Sequence, residues 1–187
     1  MLGEQTMLFE LKINLTDEDY FEFNKFWMLK SHYGRSQMLK MRLMIVGIFL
    51  LSILIFGMGD GLSSFTLVYA APLLIALGLF QLFFNKFMES SLKSHIKSLK
   101  KKGKPGYSPE STIQFGENTL TEITPTARGE QAYSAIERIS IVGEGAIYVH
   151  INTLGAYILP ASAFPTAESR AAFIEFIKTK CQNIDLY

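Results

Sequence analysis

The chain has 187 residues, a net charge of +1 and 49% hydrophobic residues, room for one medium domain or for a small domain joined to a membrane segment. The near-neutral balance excludes a polycation that binds nucleic acid along its whole length. One cysteine, Cys181, excludes an intramolecular disulfide and suits a reducing compartment.

The first periodic stretch, MLFELKINLT, alternates Phe9, Leu11 and Ile13 with Leu8, Glu10 and Lys12 and predicts a strand. Thr16 and Asp19, three residues apart, form the pattern of a capping box that opens a helix. That helix, DEDYFEFNKFWMLKSHY, carries Tyr20, Phe21, Phe23, Phe26, Trp27 and Tyr33. Two readings stand side by side: the rings lie along a membrane interface, or they cover the sheet of a soluble domain. Asn14-Leu15-Thr16 is a formal glycosylation sequon, a chance match if this part is cytoplasmic.

Residues 43–59, LMIVGIFLLSILIFGMG, contain no charge, and neither do residues 61–85, GLSSFTLVYAAPLLIALGLFQLFFN. As helices they would span about 25 Å and about 37 Å, against a hydrocarbon core of about 30 Å. Starting the first helix one turn earlier, among Lys40 and Arg42 with snorkelling side chains, removes its shortfall. Neither run has a polar face, so neither is a surface amphipathic helix. The first begins too late in this sequence for a cleaved signal peptide.

Charge sets the orientation. Lys25, Lys30, Arg35, Lys40 and Arg42 precede the first run, and Lys86, Lys93, Lys97, Lys100, Lys101, Lys102 and Lys104 follow the second. The turn GMGDGLSS between them has only Asp60. Cations stay on the cytoplasmic side, so both flanks are expected inside and the turn outside. Gly57, Gly59 and Gly61 suit a tight reversal rather than a phosphate loop, because no strand precedes them. Pro72 is expected to kink the second helix. Gly47, Gly78 and the alanines at 70, 71 and 76 suit close approach of the two helices. With no ionisable residue inside either span, a proton relay or ion path is not expected.

The second helix is expected to continue through 86–102 until Gly103, Pro105 and Gly106 stop it. Lys93, Lys97, Lys100, Lys101, Lys102 and Lys104 are candidate contacts to anionic headgroups, beside their plain role as a topology signal. No base-reading motif accompanies them, so no nucleic-acid partner is expected.

From residue 110 the pattern turns to short β runs: STIQF, NTLTEIT, AYSAIERISIV, AIYVHIN and AYILP, separated by GEN, TARGEQ, GEG and TLG. Thr166 is expected to cap a last helix with Phe173, Ile174, Ile177 and Cys181 as its apolar stripe. The fold class expected is a two-span α-helical membrane hairpin plus a small α+β domain. That domain would be an antiparallel pleckstrin-homology-like barrel of five strands, six with the N-terminal one, closed by a C-terminal helix.

The segments AYSAIERI, AIYVHI, AYILPASAF and FIEFIK resemble the YcxB-like family of bacterial membrane proteins, the carriers being Tyr133, Ile136, Tyr148, Leu159, Pro160 and Phe164. The preceding apolar hairpin is similar too. Ala161 stands where the family pattern has a basic residue after the proline. The resemblance implies a two-span bacterial membrane protein with a cytoplasmic domain; with the charge flanks, the expected location is the inner membrane with both termini cytoplasmic. The resemblance implies no activity.

The expected organisation is an N-terminal strand and amphipathic helix at 1–39, spans at 40–58 and 65–87 with an outer turn at 59–64, a basic juxtamembrane helix and linker at 88–106, and a cytoplasmic β domain at 107–187. His32, His95 and His150 lack metal-ligand spacing with one another or with Cys181. Cys181 reads as core, His150 as a surface or satisfied histidine, Glu137 and Arg138 as the wet face of a strand, and Arg128 and Glu130 as turn residues. No catalytic, cofactor or metal site is expected, and no cofactor. The function expected is a membrane-tethered, non-catalytic interaction or sensing module, in contact with membrane lipid and with a protein partner or a second copy. The alternatives are an accessory subunit of a transporter or envelope complex and, third, a membrane enzyme whose site forms only in the fold.

Overall fold

The computed structural model describes residues 8–57, 64–152 and 155–187, so most of the expected outer turn lies outside the described residues. The chain divides into two compact units, one made of the segments up to Phe23 and from Leu99 onward, the other of Asn24–Ser98.

The first unit holds eight strands: β1 (Phe9–Asn14), β2 (Glu110–Phe115), β3 (Thr119–Ile123), β4 (Arg128–Ala132), β5 (Arg138–Ile141), β6 (Ile147–His150), β7 (Ala156–Leu159) and β8 (Ile184–Leu186). They form two four-stranded sheets, ordered β1-β2-β3-β4 and β7-β6-β5-β8. Every pairing is antiparallel except that of β5 with β8. Among the described residues no ladder joins the sheets, so they do not close into the barrel expected from the sequence. β1 pairs along its whole length with β2, Phe9 opposite Phe115 and Asn14 opposite Glu110. The N-terminal strand thus completes a domain whose remaining strands follow the apolar segments.

Both sheets turn an apolar face to one core. Phe115, Leu120, Ile139, Ile147, Val149 and Leu159 are fully buried there. The last helix, α4 (Ala167–Lys180), adds Phe173 and Ile177, with Cys181 just past its end and Ile174 partly buried. This is the stripe that the 3.6-residue period marks. Its cap is the expected one: Thr166 Oγ1 accepts from Ser169 N at 3.2 Å, and Ser169 Oγ accepts from Thr166 N at 3.2 Å.

Three parts of the sheets differ from the sequence reading. AYSAIERISIV is not one strand, because Tyr133–Ala135 make a 3-10 turn before β5 begins. Arg128 and Glu130 are not in a turn but on β4, where Glu130 accepts a 2.8 Å hydrogen bond from Thr119 Oγ1. β8 follows α4 and pairs parallel with β5, Ile139 opposite Ile184.

The helix α1 (Asp17–Lys30) opens with the expected capping box: Asp19 Oδ2 accepts from Thr16 N at 2.9 Å, and Thr16 Oγ1 accepts from Asp19 N at 3.1 Å. It ends earlier than the sequence suggests. Ser31 Oγ donates to the Trp27 carbonyl at 2.5 Å and accepts from Gly34 N at 3.0 Å, so a serine side chain replaces a turn of backbone bonding. A new helix, α2 (His32–Gly57), starts there. A Cβ on Gly34 would stand 2.0 Å from the Trp27 carbonyl oxygen. Gly34→Ala is therefore expected to destabilise this corner by about 1–3 kcal/mol, read as a lowered unfolding midpoint in detergent. A wild-type midpoint would show that the corner opens freely.

α2 and α3 (Ser64–Lys101) each contain a stretch long and apolar enough to cross a membrane, His32–Ile55 and Ala70–Lys101. Large apolar side chains on both lie open: Leu43 is 61% exposed, Ile55 61%, Val68 68% and Leu82 74%. α3 runs on through Pro72 to Lys101 as one helix. Its end is a Schellman motif: Gly103, at φ +67°, donates to the Lys100 carbonyl at 3.0 Å, and Lys104 N donates to the Leu99 carbonyl at 3.1 Å. The two glycines do not do what the sequence suggests. A Cβ on Gly47 or Gly78 would meet nothing within 4 Å, so neither glycine permits close approach of α2 to α3.

Candidate functional site

In the first unit, residues brought from distant parts of the sequence meet at the start of α1. Asp17 accepts from Lys100 Nζ at 2.7 Å through one carboxylate oxygen and from Tyr107 Oη at 2.6 Å through the other. The lysine bond, then the tyrosine bond, hold the Asp17 carboxyl below its ordinary range. Burial, followed by the hydrogen bond to Asp17, pushes Tyr107 up to about 12. The Tyr107 ring lies 5.0 Å from that of Tyr20. Gly106 has no side chain because a Cβ would sit 2.6 Å from the Tyr20 hydroxyl. Leu15 N donates to the Pro109 carbonyl at 2.8 Å. The result is a cleft of about 590 Å3 lined by Leu15, Thr16, Asp17, Glu18, Lys100, Pro105, Tyr107 and Pro109. Its carboxylate is already bonded through both oxygens, so it fastens the linker after α3 rather than offering a free base.

A second polar group lies on the face of the β7-β6-β5-β8 sheet away from the common core. The register sets Arg138 opposite His150 and Ser140 opposite Tyr148, which places all four on one face. The alternation was legible, but the face is not wet. Ser140 is 1% exposed, Tyr148 3% and His150 0%. Phe23 of α1 lies over them, its ring 5.1 Å from Tyr148 and 6.4 Å from His150. His150 is thus not a surface histidine: its Nε2 is 3.2 Å from Ser140 Oγ, and its Nδ1 is buried without a hydrogen-bond partner among the described residues. Arg138, expected on a wet face, also has one guanidinium nitrogen, Nη2, buried without such a partner. Burial, and then the Arg138 charge, pull the His150 pKa down to about 4. Burial, with Glu22 and Asp19 nearby, pushes Tyr148 up to about 12.

The aromatic residue Phe23 therefore covers a sheet, one of the two roles its helix admitted. Buried His150 and Ser140 have no carboxylate among their hydrogen bonds, and Phe23 lies above them, an arrangement that suits packing rather than substrate entry. Cys181 is buried, and burial raises its thiol pKa, the opposite of what a nucleophile needs. Among the described residues no group of three His, Cys, Asp or Glu is placed to hold a metal ion.

The candidate headgroup lysines divide. Lys93, Lys97, Lys100 and Lys101 are on α3, whereas Lys102 and Lys104 follow its end. Lys100 is committed to Asp17. Sequence reasoning missed the polar contact between α2 and α3, within the second unit. Arg42 Nη2 donates to Asn85 Oδ1 at 2.8 Å, and Gln81 Nε2 donates to the Arg42 carbonyl at 3.4 Å. The guanidinium carbon is 4.8 Å from the centroid of the Phe84 ring, a cation–π contact, and Phe84 is 1% exposed. The available signal was that Arg42 and Asn85 each stand at the edge of an uncharged run.

The molecule is, by class, a two-sheet α+β domain carrying two helices long and apolar enough to cross a membrane. A family model, YcxB-like protein, matches residues 115–177, from the end of β2 to Ile177 of α4. The chain therefore carries a YcxB-like domain, and the match is confined to that stretch rather than extending over the helical segments. Neither a curated protein nor a solved structure matches the chain.

Proposed function

We propose that the chain is a membrane-tethered, non-catalytic interaction or sensing module of the bacterial inner membrane. α2 and α3 cross the bilayer as a hairpin, and the two-sheet domain and both termini face the cytoplasm. The two sheets and α4 are an open variant of the pleckstrin-homology arrangement. The observation that carries this reading is the Arg42–Asn85 hydrogen bond. It sets the start of one uncharged run beside the end of the other, as an antiparallel pair with its charges at one end requires. The open apolar side chains on both helices support it, because water would penalise such a surface and lipid would not. The lysines beyond Asn85 agree with a cytoplasmic end.

The test is a cysteine placed at Ser63 and another at Lys101, each compared with the parent chain as the blank for Cys181. An impermeant thiol reagent is expected to label Ser63→Cys in intact cells and Lys101→Cys only after lysis, with the chain retained in membranes through an alkaline wash. The reverse labelling, or release by the wash, overturns the proposal.

The accessory-subunit reading draws support from Gly47 and Gly78, whose open Cα positions lie away from the α2–α3 contact. It requires cross-links from these positions to another membrane chain, and cross-links only to a second copy dispose of it.

A further inference from the structure

We propose that Arg42, Asn85 and Lys86 form a site for the phosphate of an anionic phospholipid in the inner leaflet. This rests on the membrane reading above. Arg42 is held from three sides: by Asn85 Oδ1, by Gln81 on its carbonyl, and by the Phe84 ring. A guanidinium has five N–H donors, and among the described residues this one makes a single hydrogen bond. The neighbours Leu43, Met44 and Phe83 are 61%, 60% and 50% exposed, so the fork emerges where an apolar surface begins. At that depth an unmatched donor needs an acceptor that reaches the edge of the hydrocarbon, and lipid phosphate does. A planar fork binds a phosphate through two parallel hydrogen bonds, which an ammonium does not. Lys86 follows Asn85 directly and lies against Phe83, its Nζ 5.9 Å from the ring centroid, adding a second positive charge at that level.

The helix geometry favours this level over the lysines further along. At 1.5 Å per residue, Lys97 lies about 16 Å and Lys101 about 22 Å along α3 from Lys86. The headgroup layer on one side is about 5–8 Å thick, and screening in cellular salt sets in over about 8 Å. A helix near the membrane normal carries Lys97 and Lys101 past the phosphates. They supply diffuse attraction, and Arg42 supplies the defined contact.

The experiment uses the full chain in non-ionic detergent at physiological salt, titrated with fluorescent phosphatidylglycerol. Phosphatidylcholine and inorganic phosphate serve as competitors. Arg42→Gln is expected to weaken binding about tenfold, Arg42→Lys about fivefold and Lys86→Gln about threefold. The double change Lys101→Gln with Lys102→Gln is expected to alter it less than about twofold. Lys86→Gln leaves the Arg42–Asn85 contact in place, so its effect reads the site even if Arg42→Gln loosens the helix pair. Wild-type affinity in Arg42→Lys, equal losses in the Lys101 and Lys102 variant, or displacement by millimolar inorganic phosphate overturns the proposal. Release of the chain from membranes by an alkaline wash would instead overturn the membrane reading beneath it.

Discussion

Replacing Phe173 by alanine is expected to destabilise the two-sheet domain by about 3–5 kcal/mol, the largest effect of any single change considered. The side chain is fully buried. Its ring lies 5.6 Å from Phe9 of β1, 4.8 Å from Phe115 of β2 and 5.4 Å from Phe164 just before α4. One aromatic on the last helix thus joins the N-terminal strand to strands that follow the apolar segments. Three elements converge on it, so collapse to fill the cavity would need all three to shift, which puts the cost at the upper end of the usual range. Set against a typical domain stability of about 5–15 kcal/mol, the loss is a large fraction. Amide exchange on the full chain in detergent is the direct measurement. Protection is expected to fall in β1, β2 and α4, while the amides of α2 and α3 keep theirs. Phe173→Leu, which leaves less void, is expected to cost under half as much. An unchanged unfolding midpoint for Phe173→Ala would mean that the ring adds nothing to the joining of these elements.

What the sequence disclosed was what local physics determines. The capping box of α1 was legible from Thr16 with Asp19, and the cap of α4 from Thr166, because both act within one turn; the Ser169 half of the second box was not. The apolar stripe of α4 followed from its period, and the end of α3 from Gly103. Elements whose stability comes from distant partners were not legible. β4 reads RGEQA and lies at the edge of its sheet, four of its five residues exposed, so it has no apolar alternation to give it away. Charged residues suit such an edge because they discourage pairing with other chains. β8 has three residues, and only pairing with β5, more than forty residues earlier, makes it a strand. The corner at Ser31 and Gly34 depends on a side chain replacing backbone bonds, which hydrophobic periodicity does not register. The Asp17 contacts link residues 83 and 90 positions apart, and nothing in the spacing of a lysine tract reveals that one member is engaged. The Arg42–Asn85 bond was hidden for a related reason: each residue looked like the unremarkable end of a span.

His150 carries the same lesson into a pH dependence. The sequence reading set Arg138 on a wet strand face and His150 at a surface; the register of β5 and β6 puts both on one face with Ser140 and Tyr148, and whether that face met water depended on Phe23, far upstream. Because α1 covers the face, the folded chain holds His150 neutral, with a pKa of about 4 against an ordinary 6.5. The unfolded chain takes up the proton first as the pH falls. Stability from this group is therefore intact above about pH 6.5, declines between 6.5 and 4, and levels off below, with about 3 kcal/mol lost in all. Arg138 opposite, and Asp19 and Glu22 on α1, also act on this neighbourhood, and acidic groups elsewhere titrate in the lower part of the same window. His150→Gln separates them. The amide keeps a hydrogen-bonding group near Ser140 and does not titrate, so the variant is expected to be less stable than wild type at pH 7.5. The gap should narrow steadily toward pH 4.5, because only wild type pays the protonation penalty. Unfolding midpoints of the two full-length chains in detergent, at pH 7.5, 6.0 and 4.5, give the comparison. Parallel curves would show that His150 is reached by protons in the folded state, and hence that α1 does not seal the sheet. A converging pair would show the seal intact, and would identify the N-terminal half of α1 as a structural part of the domain rather than a helix released to the membrane surface.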